Sequence, residues 1–259
     1  MGGENAPDTS RDGEEIAAIR LSIDLGMTHI DTAEMYGAGH AEELVGEAIK
    51  SYRRSDLFIT TKVWHTHLKH DDLLSAMRGS LHRLDTDYVD LYLVHWPNPQ
   101  VPLKETMETM EFCVDEGYTR LIGVSNFSVH LIEEARSHLK GCDLVADQVE
   151  YNLIEQGPME ELLPYCRRSN LTLIAYRPLG RGDLIKLTHP VLDEIAEKYS
   201  KTRAQVALNW LISQEGVVAI PKALRPGHLK DNLGAVGWRL SEEDFRRLTE
   251  VFRSERVPE

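Results

Sequence analysis

The sequence predicts an α/β fold whose parallel sheet closes into a (β/α)8 barrel, and three observations carry that prediction. Apolar runs of strand length recur with amphipathic stretches between them, and strand starts are about 23 to 45 residues apart, the length of a βα unit. The runs are near-continuously apolar rather than alternating, as when both faces of a sheet are covered. Nearly every run ends in a charged or hydrogen-bonding residue, which is where barrel enzymes hold their chemistry. An open doubly wound sheet would show GxGxxG after an early strand, and the sequence has none.

The elements follow in order. A helical stretch, IAAIRLSIDLGMT, stops at Gly26 and leads into a strand at His29–Ala33. The second strand is Phe58–Val63, and LLSAMRGSLHRL (73–84) after it spaces apolar residues three and four apart. Strands at Val89–His95 and Leu121–Ser125 precede a helical LIEEARSHL (131–139). Leu144–Val149, Thr172–Tyr176 and Val217–Pro221 complete the strands. Pro226 suits the first turn of a short helix, and a last helix covers Leu240–Phe252. That makes seven strands where the barrel needs eight. Residues 1–13 hold two glycines and a proline among polar residues, so the first barrel strand is expected to be missing from the chain.

Composition bounds the partners. At 259 residues, 42% hydrophobic and 27% charged, the chain is expected to form one globular domain over residues 1–259. No run approaches the roughly 18 apolar residues that span a bilayer. The opening MGGENAPDTSRDGEE is polar and acidic, unlike a signal or transit peptide. A net charge of −13 argues against a nucleic-acid surface. Cys113, Cys142 and Cys166 have no metal-like spacing and cannot all pair, which suits a reducing cytoplasm. The expectation is a cytoplasmic monomer or small homo-oligomer that acts on a small molecule, without nucleic-acid or membrane partners.

The strand ends read Asp31, Lys62, His95, Ser125-Asn126, Gln148, Tyr176 and Lys222, with Tyr36 five residues past Asp31. Each has a bland reading alone: Asp31 satisfying turn amides, Tyr36 a surface aromatic, Lys62 snorkelling to solvent, His95 a core histidine bonded to a carbonyl. A fold that points four of them at one mouth makes coincidence the weaker reading. An ammonium beside a phenol stabilises the phenolate, and a carboxylate holds the ammonium in place. Asp31, Lys62 and Tyr36 would thus form a tuned proton donor, with His95 orienting the same substrate oxygen, as carbonyl reduction requires. There is no activated Ser or Cys nucleophile. His65, His67 and His70 lack carboxylate support and read as a solvated loop, so no metal is expected.

These residues resemble the aldo-keto reductase family. GMTHIDTAEMYG, LFITTKVW, VDLYLVHWP, GVSNF, DQVEYN, IAYRPLG and AIPKA match its motifs in order, from about residue 14 to residue 252. The resemblance implies a barrel that binds NADP(H) without a Rossmann domain, and a catalytic tetrad of Asp31, Tyr36, Lys62 and His95 with Tyr36 as proton donor. It implies that Ser125, Asn126 and Gln148 hold the nicotinamide carboxamide and that Tyr176 stacks on its ring. Leu179 and Asn232 join the cofactor-binding positions. Lys222, Arg225, His228 and Lys230 form a basic cluster in an acidic chain. A solvated charged turn would explain His228 and Lys230, but less readily Lys222 and Arg225, a cationic pair that fits the 2′-phosphate of NADPH.

Ala223 and His228 stand where the family commonly has serine and arginine, so NADH is expected as a weaker cofactor. Arg177 replaces a common serine and receives no role. Trp64 and Trp96 are expected to wall an open substrate pocket. The alternative function is an NADP(H)-binding regulatory or sensing barrel with little turnover. A hydrolytic or isomerising barrel using His95 and Asp31 lacks a metal cluster or a second placed carboxylate.

Overall fold

In the computed structural model, which describes residues 1–3, 5–186 and 188–254, the predicted alternation becomes helices and strands in chain order. They are α1 (Asp12–Asp24), β1 (His29–Asp31), α2 (His40–Ile49), β2 (Phe58–Val63), α3 (His70–Leu84), β3 (Val89–Val94), α4 (Leu103–Asp115), β4 (Thr119–Ser125) and α5 (Val129–Ser137). Then come β5 (Leu144–Glu150), α6 (Leu162–Arg168), β6 (Thr172–Tyr176), α7 (Asp183–Lys186), α8 (Pro190–Tyr199), α9 (Arg203–Ile212), β7 (Val217–Ala219), α10 (Pro226–Leu233) and α11 (Glu242–Ser254). All seven predicted strands are present, with ends shifted by up to two residues. At β1 the strand stops early: after Asp31 the Thr32 amide bonds Thr60 O at 2.9 Å and the Glu34 amide bonds Lys62 O at 3.4 Å before the chain turns.

The chain divides into two compact units, residues 1–147 and 148–259. In the first, β1 to β4 pair in chain order and in parallel. Among the described residues β1 is paired with β2 alone. Asp31 lies level with Thr60, Thr60 with Leu91, and Leu91 with Leu121; one layer further, Lys62 is level with Leu93 and Gly123. Because side chains alternate along a strand, Asp31, Lys62, His95 and Ser125 fall on one face, in layers two residues apart. A Cβ at Gly123 would lie 2.7 Å from both Ala146 O and a methyl carbon of Leu93, so only glycine fits within this layer. The opposite face, with Ile59, Tyr92, Val94, Ile122 and Val124, is buried.

In the second unit β6 pairs in parallel with β7, Leu173 level with Val217. Trp210 is fully buried, 5.6 Å from the Phe245 ring and 5.3 Å from the Tyr151 ring, and its indole N–H donates to Thr249 Oγ1 at 2.9 Å. Thr202 and Gln205 form a capping box that starts α9. Pro226 opens α10, as predicted from its fixed φ. No helix of the described residues is long and apolar enough to cross a membrane.

Candidate active site

Lys62 has no exposed surface, and a buried ammonium persists only when it is paired. Its Nζ donates to Asp31 Oδ1 at 2.6 Å and to the Thr32 carbonyl at 2.8 Å. Burial pushes the ammonium's pKa down, but the Asp31 carboxylate and the Tyr36 hydroxyl outweigh it, and the net shift is upward. Lys62 is therefore a fixed positive charge inside the fold.

Tyr36 reaches that charge because the chain reverses directly after β1. The Tyr36 amide bonds Ala33 O at 3.1 Å, and Gly37 and Ala38 then adopt left-handed φ of 58° and 53°. Lys62 Nζ donates to Tyr36 Oη at 3.5 Å, a long contact beside its 2.6 Å bond to Asp31. His95 continues β3, its amide bonding Val63 O at 3.0 Å. Its ring stands edge-on to Tyr36 at 5.6 Å and to Trp64 at 5.1 Å. The structure thus brings Asp31, Lys62, Tyr36 and His95 together, with Trp64 beside them.

His95 differs from the core histidine considered above. It is buried, yet its Nδ1 has no hydrogen-bond partner among the described residues, carbonyl or other. Burial, with the nearby Lys62 charge and His65, pushes its pKa down to about 3. The imidazole is neutral at ordinary pH. Trp96 is exposed, at 43% of its surface.

Ser125 is buried at the end of β4, and Asn126 follows with a left-handed φ of 63°. Asn126 Nδ2 donates to His95 O at 3.1 Å and to Ser125 Oγ at 2.9 Å. Ser128 caps α5, its hydroxyl accepting from the Leu131 amide at 3.3 Å.

In the second unit Gln148 is buried on β5, and Tyr176 is half-buried at the end of β6. Arg177, with φ +49°, pairs with Glu150 at 2.6 Å, and its guanidinium lies 5.6 Å from the Tyr176 ring. That supplies the contact the sequence left unassigned. Leu179 is half-buried and precedes a short turn at Gly180–Gly182, while Asn232 is buried in α10. Lys222, Arg225, His228 and Lys230 are exposed and make no side-chain hydrogen bond or ion pair with a described residue; Lys222 precedes α10, Arg225 is its N-cap, His228 is in its first turn and Lys230 in its last. The basic groups Lys222, Arg225 and His228 about the start of this helix, in a chain of net charge −13, fit a phosphate.

Sequence reading missed Glu34. Its Oε1 accepts from the Trp64 amide at 2.6 Å and pairs with His67 Nδ1 at 3.0 Å. His67 therefore has a carboxylate partner, and His70 Nδ1 bonds Thr109 Oγ1 at 3.0 Å, so the solvated-loop reading holds only in part. No group of three metal-ligating side chains occurs among the described residues. Glu34 also lines a cavity of about 350 Å³ with Met35, Ala38, Trp64, His67 and Arg83.

Comparison with known proteins places this geometry. The model of the aldo/keto reductase family matches residues 1–253. The chain is 37% identical over 248 residues to methylglyoxal reductase YeaE of Escherichia coli, covering 95% of this chain and 87% of that protein. It superposes on a thermostable aldo-keto reductase crystallised with the inhibitor epalrestat with a TM-score of 0.92 and 49% identity, covering 97% of this chain and 92% of that one. A Klebsiella pneumoniae aldo-keto reductase in complex with NADPH gives a TM-score of 0.89 and 37% identity, with 97% and 88% covered.

Proposed function

The chain belongs to the aldo/keto reductase family, and from that premise we propose that Tyr36 is the proton donor of its reaction. The protein is an oxidoreductase that reduces the carbonyl of a small molecule with NADPH. NADPH, when bound, supplies the hydride to the carbonyl carbon. Negative charge then develops on the carbonyl oxygen, and the chain's own residues answer it. Tyr36 Oη gives its proton to that oxygen. Lys62, kept charged by Asp31, stabilises the phenolate left behind. Neutral His95 holds the substrate oxygen by a hydrogen bond without competing for the proton. The single observation that carries this reading is the chain of contacts Asp31, Lys62, Tyr36 around a buried ammonium.

Ser125, Asn126 and Gln148 suit the carboxamide, offering donors and acceptors, and Tyr176 with Leu179 suits the ring. Lys222, Arg225 and His228, with Asn232 behind them, suit the 2′-phosphate, so NADPH is preferred and NADH used more weakly. Trp64 and Trp96 wall the substrate side. The substrates are aldehydes and ketones, in line with the reductase name of the Escherichia coli relative. The fold in this reading is one (β/α)8-type domain over residues 1–259 from which the first barrel strand is missing; that β1 is paired with β2 alone among the described residues supports it. The protein works in the cytoplasm as a monomer or small homo-oligomer, apart from nucleic acid and membranes. A regulatory barrel with little turnover is not favoured, since the relatives named above are reductases.

The test is a Tyr36→Phe variant assayed by NADPH oxidation with a panel of aldehydes. We expect the rate to fall about 10²-fold or more, the usual loss for a positioned acid, with NADPH affinity nearly unchanged. Turnover near the wild-type rate would remove Tyr36 from the mechanism.

A further inference from the structure

The turn that carries Tyr36 is closed by backbone bonds from the Tyr36 amide to Ala33 O and from the Ala38 amide to Met35 O, both 3.1 Å, but along a path that costs energy. Gly37 and Ala38 have left-handed φ of 58° and 53°, and Gly39 follows at φ 97°. A non-glycine residue in that region persists only where its surroundings over-determine it. Lys62 reaches Tyr36 Oη at 3.5 Å, the outer limit of a hydrogen bond, so a small shift of the turn would break the contact.

The surroundings contain a buried charged device. Glu42, on the first turn of α2 just past the Tyr36 turn, has no exposed surface. Its Oε1 accepts from the Thr61 hydroxyl at 2.5 Å, and its Oε2 accepts from Arg83 Nε at 2.7 Å. Thr61 precedes Lys62 on β2 and faces the opposite side of the sheet, so Glu42 grips the strand that carries the ammonium. Arg83, in the last turn of α3, occupies the space a side chain on Gly39 would need: a Cβ there would lie 2.6 Å from Arg83 Cδ and 2.7 Å from Nε. Arg83 thus presses on the end of the Tyr36 turn while its guanidinium is tied to Glu42.

We infer that the Glu42–Arg83 ion pair sets the distance between Tyr36 Oη and Lys62 Nζ. Both are positioning residues: they act on the reaction through Tyr36 and touch no reacting atom. The pair joins three elements, the Tyr36 turn with α2, the Lys62 strand and α3, and no neighbour of Tyr36 described above makes the same link. The inference rests on the reading of Tyr36 as proton donor.

Removing Arg83 alone would leave the Glu42 carboxylate buried and unpaired and threaten folding, so the test replaces both, Glu42→Gln with Arg83→Met. The glutamine side chain keeps an acceptor for Thr61, and the methionine side chain keeps part of the volume against Gly39. Rates of NADPH oxidation with methylglyoxal are compared in four proteins: wild type, the pair variant, Tyr36→Phe, and all three changes together. With Tyr36 present the pair variant should lower kcat about tenfold or more, with NADPH affinity by fluorescence titration within about twofold. In the Tyr36→Phe background the same change should move kcat by less than about twofold. Equal losses in both backgrounds, or no loss with Tyr36 present, would overturn the inference. A crystal structure of the pair variant decides independently of activity. The Tyr36 Oη to Lys62 Nζ distance should exceed the native 3.5 Å, and an unchanged distance sinks the idea. A wild-type protein inactive towards every aldehyde would instead count against the proposed function and leave the crystallographic answer standing.

Discussion

His95 shows how one side chain's surroundings set its chemistry. Burial takes its imidazole from an ordinary value of 6.5 down to about 3. A neutral ring can hydrogen-bond a substrate oxygen but cannot act as an acid near neutral pH, in keeping with the proposal that Tyr36 donates the proton. Two outcomes follow. The pH profile of kcat should show no limb from His95 between about pH 5 and 8, and its ring protons should not titrate there by NMR. A histidine that is hard to protonate when folded binds more protons when unfolded. His95 therefore lowers stability as pH falls from about 6.5 towards 3, and has no effect above that window. A His95→Gln variant should lose less melting temperature than wild type between those pH values. A His95 titration midpoint near 6.5 in the folded protein would defeat both expectations.

At the scale of the element, the strand starts are held as deliberately as the strand ends. Asp90, buried on β3, accepts from Arg54 Nη2 at 2.7 Å, Arg120 Nη1 at 3.2 Å and the Ile59 amide at 2.9 Å. One carboxylate thereby links β2, β3 and β4 at the end of the sheet away from Lys62. Its two cations are unequal: the Arg54 side chain is 19% exposed and the Arg120 side chain 61%. Asp90→Ala removes the acceptor of a buried strand amide and one of the acceptors of Arg54, which keeps Leu57 O, Tyr88 O and Thr86 Oγ1, and should cost about 1–3 kcal/mol of stability. Arg120→Ala removes a solvated pair and should cost less than about 1 kcal/mol. Urea unfolding of the two variants checks the ranking, and equal losses would mean Asp90 is not the hub. Neither change should alter cofactor preference.

For the whole molecule, the charge distribution is the decisive feature. The chain carries a net −13, yet Lys222, Arg225 and His228 stand about the start of α10 with no side-chain partner among the described residues. A charge-assisted bond from Arg225 to a 2′-phosphate is worth about 1.5–3 kcal/mol. Arg225→Ala should therefore weaken NADPH binding by roughly 10- to 100-fold and leave NADH binding almost unchanged. Equal losses would show that Arg225 does not read the phosphate. Binding should also register in global stability. NADPH at about 100 times its Kd should add about 2.7 kcal/mol, and NADH at the same concentration less. Thermal melts with each cofactor measure this directly, and equal shifts would count against selectivity for the 2′-phosphate.

By itself the sequence determined the alternation of strands and helices, because burial on both faces and the periods of strand and helix are local properties written in residue order. It also showed that the strands end in polar groups, among them Asp31, Lys62 and His95, while the parallel register that puts these three on one face in successive layers came from the structure. Glu34 lay in plain view between Asp31 and Tyr36, but no period links it to Trp64 or His67. Nothing in the residue order marks Glu42 or Arg83, and the burial of Glu42 appears only in the structure. The neutrality of His95, the 3.5 Å from Lys62 to Tyr36 and the seating of Arg83 on Gly39 were decided only by the tertiary structure. Each depends on how much water is excluded and on which distant side chain fills a space, and those are set by packing between elements, not by the order of residues within one.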